Sequence, residues 1–178
     1  AVTPRGRVVI QKALSAEHDD TVAETSRRGH ATRMARGATT DGTDVVVVLG
    51  GDGTLNEAAN GLAGSRCALA PLPGGSTNVF ARTLGMPNDP LLAVEHLVEG
   101  MEANDLRPIG LGQVNGRYFC FHTGVGYDAA VVQQVERRGA LKRWLGHPLF
   151  IYAGLSTWLT GYDRKHPHFS VSGGDAPD

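Results

Sequence analysis

The chain has 178 residues, a formal net charge of -1 and 24 glycines. That length suits one domain, or one and part of another, and the near-neutral charge gives no basis for a nucleic-acid surface. No apolar run reaches the roughly 18 residues of a membrane-spanning helix, and no leader-like segment precedes the fold, so a cytoplasmic location is expected.

From the first residues, Thr3-Pro4 combines an N-cap with a proline at the first helical position, and Arg7 to Leu14 suits a strand by its β-branched residues or a helix by that cap, with helix favoured. Thr21 to Thr25 is a short strand candidate. Ser26 to Gly37 places Ala31, Met34, Ala35 and Ala38 at helical spacing, and Asp41-Gly42 makes a turn. Four consecutive valines and Leu49 then form an apolar run without polar alternation, as in a strand buried on both faces of a parallel sheet. Gly50, Gly51, Asp52 and Gly53 follow, where backbone can bend sharply and approach a ligand. Thr54 and Glu57 stand in the S/T-x-x-E pattern of a capping box, so a helix is expected to start there. Ala68 to Leu72 is a second apolar strand, running into Pro73-Gly74-Gly75-Ser76-Thr77-Asn78 and a helix from Val79 to Leu84, stopped by Gly85 and Pro87. Asp89-Pro90 opens another helix, with Leu91, Leu92, Val94, Leu97 and Val98 inward and Gly100 at its end.

This β/α alternation lasts to about Leu106 and implies a parallel sheet with helices on its faces. Beyond it the pattern changes. Ile109 to Val114 and Arg117 to His122 flank Asn115-Gly116, a strong hairpin signal, so a domain boundary is expected near Arg107. Asp128 starts a helix reaching Arg138, a second runs from His147 or Pro148 to Thr160, and His168 to Val171 reads as a strand. One hairpin, two helices and a strand are too little for an independent core. Cys67 and Cys120 sit in apolar surroundings and read as buried, reduced thiols. Cys120 and His122 read as packing residues, and His166 and His168 as positions on a wet strand. The stripe from Trp144 to Trp158 suits ordinary core, or contact with acyl chains.

Two glycine turns, each at the carboxyl end of a parallel strand, lie where open α/β sheets bind ligands. A helix N-terminus behind each turn offers unpaired N–H groups and a positive dipole end, so phosphate is the first ligand to expect. Neither GxGxxG nor GxxxxGK[ST] spacing is present. Asp52 inside the first turn would repel phosphate. A divalent cation, or a role in orienting nearby N–H groups, would resolve that conflict.

Gly50-Gly51-Asp52-Gly53-Thr54-Leu55-Asn56-Glu57, Asn60-Gly61, Pro73-x-Gly-Ser-Thr-Asn78 and Phe80-Ala81-Arg82 together resemble the diacylglycerol kinase catalytic-domain family. The resemblance runs roughly from Pro4 to Val171. It implies a Rossmann-like α/β fold of the phosphofructokinase and NAD-kinase type, with an ATP-binding domain over residues 1–107. Residues 108–178 would then begin an incomplete, β-sandwich-like lipid-binding domain. It implies ATP and Mg²⁺ as cofactors and a diacylglycerol-like lipid as substrate, with transient contact at a membrane surface. Gly50 and the run Gly51 to Glu57 would wrap the ATP phosphates, with Gly75 and Ser76 contacting nucleotide from the second turn and Thr25 from the preceding strand end. Gly124 to Ala129 resembles the family's G-x-D-A segment.

The chain also departs from the family pattern. The opening strand and N-P-x-S-G-type phosphate loop are not found, Val79 stands where many members carry aspartate, and Gly110 stands where many carry an acid. No D-G-[ED] segment, which carries the family's general base, occurs. The base and the structural magnesium site of some members are therefore expected beyond Asp178, so no catalytic or metal residue is assigned. The chain reads as a weakly active or inactive fragment, truncated at both ends. Pairing between two copies through open sheet edges is a further expectation. The alternatives are an NAD kinase-like enzyme and a nucleotide-binding module without catalysis.

Overall fold

The structure, a computed structural model, describes residues 4–16, 18–136 and 152–158. The chain forms two compact units, Ala1–His122 and Thr123–Asp178.

The first unit is a mixed α/β fold around a parallel strand pair. In chain order come α1 (Pro4–Ser15), α2 (His30–Thr40), β1 (Val45–Gly50), α3 (Asp52–Leu62), β2 (Ala68–Pro73), α4 (Val79–Thr83), α5 (Pro90–Glu102) and the strands β3 (Gly112–Val114) and β4 (Arg117–Phe119). β1 and β2 pair in parallel from Val45 opposite Ala68 to Gly50 opposite Pro73. Successive side chains of a strand point to opposite faces, and here both faces are covered. Val46, Val48 and Leu69 pack with Ala35 of α2 and Leu55, Ala58 and Leu62 of α3. Val47, Leu49 and Leu72 pack with Ile10 of α1 and Ala93 and Val94 of α5. That is why the valine run carries no polar alternation. Leu55 and Leu72 are wholly buried, and truncating either to alanine should cost about 2–5 kcal/mol.

Helix ends explain most differences from expectation. α3 does not start at Thr54. Its N-cap is Gly51, in extended conformation, and no side chain caps it. Thr54 is already inside the first turn, where it cannot cap, so the expected Thr54–Glu57 box is not formed. α2 starts at His30 rather than Ser26, because Gly29 is left-handed (φ 79°) and the Ser26 N–H donates to His30 Nδ1 at 3.1 Å. It then passes Gly37 and ends at Asp41-Gly42, where the Thr43 N–H reaches back to Ala38 O at 3.0 Å. α5 starts as expected, Asp89 accepting from the N–H groups of Leu91 and Leu92. It runs beyond Gly100, and the left-handed residue ending it is Asn104 (φ 51°), with Asp105 N–H donating to Gly100 O at 2.9 Å. Leu91 and Leu92, expected inward, are exposed in its first turn.

Residues 21–25 form no strand and are exposed. A strand needs a partner ladder, and no described strand lies beside them. The hairpin is as expected but shorter, Gly112 facing Phe119 and Val114 facing Arg117. Asn115 and Gly116 both take positive φ (49° and 74°), the requirement of its two-residue turn. The Phe119 ring lies over Gly112, where an added methyl would meet it at 2.1 Å. The hairpin belongs to the unit ending at His122, whereas the sequence reading puts a boundary near Arg107.

In the second unit, α6 (Tyr127–Glu136) carries Asp128 in its first turn. Residues 152–158 are helical, and Tyr127 donates its hydroxyl to Gly154 O at 2.6 Å. Thr157 is buried and donates to Gln134 Oε1. The expected helix end at Arg138, the start of the next helix at His147 or Pro148, and the strand from His168 to Val171 lie outside the described residues. No helix among the described residues is long and apolar enough to cross a membrane.

Candidate functional site

β1 and β2 end side by side, so their glycine turns emerge together. Gly74 N–H donates to Gly50 O at 3.0 Å, extending the ladder one step past the strands. The two turns are then in backbone contact. A methyl on Gly74 would sit 2.8 Å from Gly50 N, and one on Gly75 would sit 2.7 Å from Gly51 Cα. Only glycine permits this approach. Above Gly50, the Thr54 side chain closes in, its Cβ 3.0 Å from where a methyl would stand.

Asp52 joins the turns. As the first residue of α3 it reaches across to the start of α4, Oδ1 accepting from Phe80 N–H at 3.0 Å and Oδ2 from Thr77 Oγ1–H at 3.1 Å. α4 needs this. Its own N-cap, Asn78, is left-handed (φ 47°) and makes no side-chain cap bond. The Asn78 amide turns instead to Gly75, accepting from its N–H at 2.8 Å and donating to its C=O at 3.2 Å. It also donates to Asn88 Oδ1 at 3.0 Å. Asn78 is 3% exposed, so this network holds the second turn in a fixed shape. The Asp52 charge is thus aimed at a helix N-terminus. Its conflict with phosphate is resolved by orienting a nearby N–H group, that of Phe80.

With its carboxylate directed away, the first turn presents backbone. The N–H groups of Asp52 and Gly53, first in α3, have no acceptor within the helix. The Ser76 side chain is exposed, with no hydrogen-bond partner among the described residues. Leu55 is buried in the core, so only its backbone faces the turn. Asn56 directs its amide to Tyr118 O and Cys120 N–H. Glu57 accepts through its backbone oxygen from Thr32 Oγ1–H at 2.8 Å. Thr25 lies exposed in the irregular segment before the turn that the His30 N–H closes onto Arg27 O, and no hydrogen bond ties it to either loop. Thr77, Asn78, Asn88 and Asn60 are the functional-site neighbours to which sequence reasoning gave no role. The signal for Asn60 is its spacing of four from Asn56, which puts both on one helix face.

No group of three or more His, Cys, Asp or Glu residues among those described could hold a metal ion. Cys67 and Cys120 are free and half-buried. Burial, and secondarily the Asp52 charge, push the Cys120 thiol up to about 11. Burial raises Cys67 as well.

Two strand-end glycine turns in contact, with the open N-terminus of α3 behind the first and that of α4 already engaged by Asp52, lie where α/β folds take anionic ligands. The family model of the diacylglycerol kinase catalytic domain matches residues 5–114; the chain belongs to that family. It is 37% identical over 150 residues to a diacylglycerol kinase of Bacillus subtilis (strain 168), covering 83% of this chain and 48% of that protein. It is 36% identical over 110 residues to a diacylglycerol kinase of Staphylococcus aureus (strain JH9), covering 61% of this chain and 34% of that one. A solved diacylglycerol kinase structure from Bacillus anthracis str. Sterne superposes with a TM-score of 0.56 at 32% identity, over 64% of this chain and 44% of that chain. The chain thus spans half or less of the length of these relatives.

Proposed function

We propose that the whole protein is a lipid kinase that transfers the γ-phosphoryl group of ATP to a primary hydroxyl of diacylglycerol or a related lipid. The supporting observation is the pair of glycine turns held in contact by Asp52, inside the region matching the family model. Phosphoryl transfer asks a protein mainly to position the phosphates and offset their charge. Here the turn N–H groups and the α3 N-terminus would bind phosphate oxygens. The Ser76 hydroxyl is available as a further donor. Gly51 and Gly75, without side chains, let the phosphates approach the backbone. Mg²⁺ is usually bound through substrate phosphates with one or two carboxylates rather than by an all-protein cage, and would arrive on the nucleotide.

The lipid hydroxyl must lose its proton to a base, for which a carboxylate is suited. Asp52 is a poor candidate, since both its oxygens already accept hydrogen bonds. We place the base outside residues 1–178 and expect those residues alone to show little turnover. In this reading the protein meets its lipid at a membrane surface, and residues 1–178 alone, with sheet edges left open, would pair as two copies. A clean monomer in sedimentation would contradict the pairing.

The test is phosphatidate formation by the whole protein with ATP and diacylglycerol in mixed micelles. Turnover is expected, with a large loss in Asp52→Ala. Undiminished activity in that variant would contradict the role given to Asp52, and phosphorylation of NAD with none of diacylglycerol would contradict the proposal.

A further inference from the structure

Asp52, Asn56 and Asn60 recur every fourth residue on α3 and so form one polar stripe. Asp52 holds the second glycine turn. The two asparagines hold something else, the outer edge of β4. Asn56 Oδ1 accepts from Cys120 N–H at 3.1 Å, and its Nδ2 donates to Tyr118 O at 3.3 Å. Asn60 Oδ1 accepts from Tyr118 N–H at 2.9 Å. Its Nδ2 donates to Tyr118 O and to Asn56 O, each at 2.8 Å. Tyr118 faces Gln113 of β3 on its other side. Residues 118 and 120 are two apart, so their backbone groups turn to the same edge, and the asparagine pair supplies the donors and acceptors of a missing strand. An apolar helix face could cover this edge but would leave the Tyr118 and Cys120 amides unpaired.

We infer that Asn56 and Asn60 are positioning residues that hold the hairpin in register with the glycine turns, so that ligand in the turns and placement of β4 are coupled. The coupling element is the rigid helix α3, which carries the clamp to the second turn at its first residue and the strand-like pair one and two turns later. This inference rests on the reading of the turns as the ATP phosphate site. It assigns Asn56 a role through the hairpin, since its carboxamide is already engaged there.

The test uses the whole protein as wild type, Asn56→Ala, Asn60→Ala and the double variant. Alanine favours the helix and leaves the core contacts of Leu55, Ala58 and Leu62 in place. Amide exchange at Tyr118 and Cys120 is followed with and without MgATP, beside ATP affinity and the kinetic constants for diacylglycerol. In the wild type, MgATP should slow exchange at both amides by about threefold or more; in Asn60→Ala and the double variant the slowing should vanish. ATP affinity should then change less than about threefold while kcat for the lipid falls about tenfold, a split that general destabilisation would not give. Wild-type exchange that ignores bound MgATP, or variants with freed amides and unchanged kcat, would overturn the inference while leaving the kinase reading standing. A wild type that binds no ATP would overturn both.

Discussion

Asp52 gains its importance from where its two oxygens go. Each receives one donor, from Thr77 in the second turn and from Phe80 at the start of α4, so its role as a clamp can be separated from its role as a charge. Asparagine at this position could still accept from Phe80 N–H and donate to Thr77, whereas alanine would strip α4 of its cap. Asp52→Ala is therefore expected to lose about 1–2 kcal/mol in urea denaturation, and Asp52→Asn to retain most of it. Equal losses would mean that the charge itself stabilises the fold. Cys120 gives a pH signature nearby. Its folded value, about 11, lies above the ordinary 9.0, so the fold favours the protonated thiol. Its contribution to stability is complete below about pH 9 and declines as pH rises toward 11. Alkylation of Cys120 in the folded protein should show its midpoint near the upper end of that window; a midpoint at the ordinary thiol value would contradict the burial argument.

At the scale of elements, α3 is the hub, touching the sheet, α2, the second turn and the hairpin. Its contact with α2 is close enough that a methyl on Gly61 would lie 2.6 Å from both Ala35 Cβ and Thr32 O. Gly61→Ala should thus force the helices apart and destabilise by about 1–3 kcal/mol, despite alanine's better helix propensity. Thermal unfolding with no loss, or a gain, would show that the helices can yield. Here the limits of sequence reading are plain. The valine strand is legible because burial on both faces writes itself as an unbroken apolar run. The α5 start is legible because Asp89 caps residues two and three positions on. The capping box at Thr54 misleads because the motif is local, while the helix start is set by the glycine turn before it. Asp52 bonds to Phe80 across 28 residues of chain, and Asn60 bonds to Tyr118 across 58. No periodicity or spacing encodes such partners. The glycine turns themselves were readable, and what holds them together was not.

On the scale of the whole molecule, the glycine turns, their clamp and the hairpin all lie in the unit Ala1–His122, and the family match ends inside it at residue 114. β1 and β2 each pair on one side only among the described residues, so their outer edges offer unpaired backbone groups. If the turns hold ATP phosphates for transfer to diacylglycerol, Gly75→Ala should disable that transfer. Its methyl would strike Gly51 Cα at 2.7 Å and crowd Asn78 Oδ1 at 3.1 Å, parting the turns where phosphate would sit without removing any side chain. The measurement is transfer of label from γ-labelled ATP to phosphatidate by the whole protein, wild type against Gly75→Ala. Labelled phosphatidate is expected from the wild type, with a fall in kcat/KM of roughly a hundredfold in the variant. Equal transfer by both proteins, or none by a folded wild type, would contradict it.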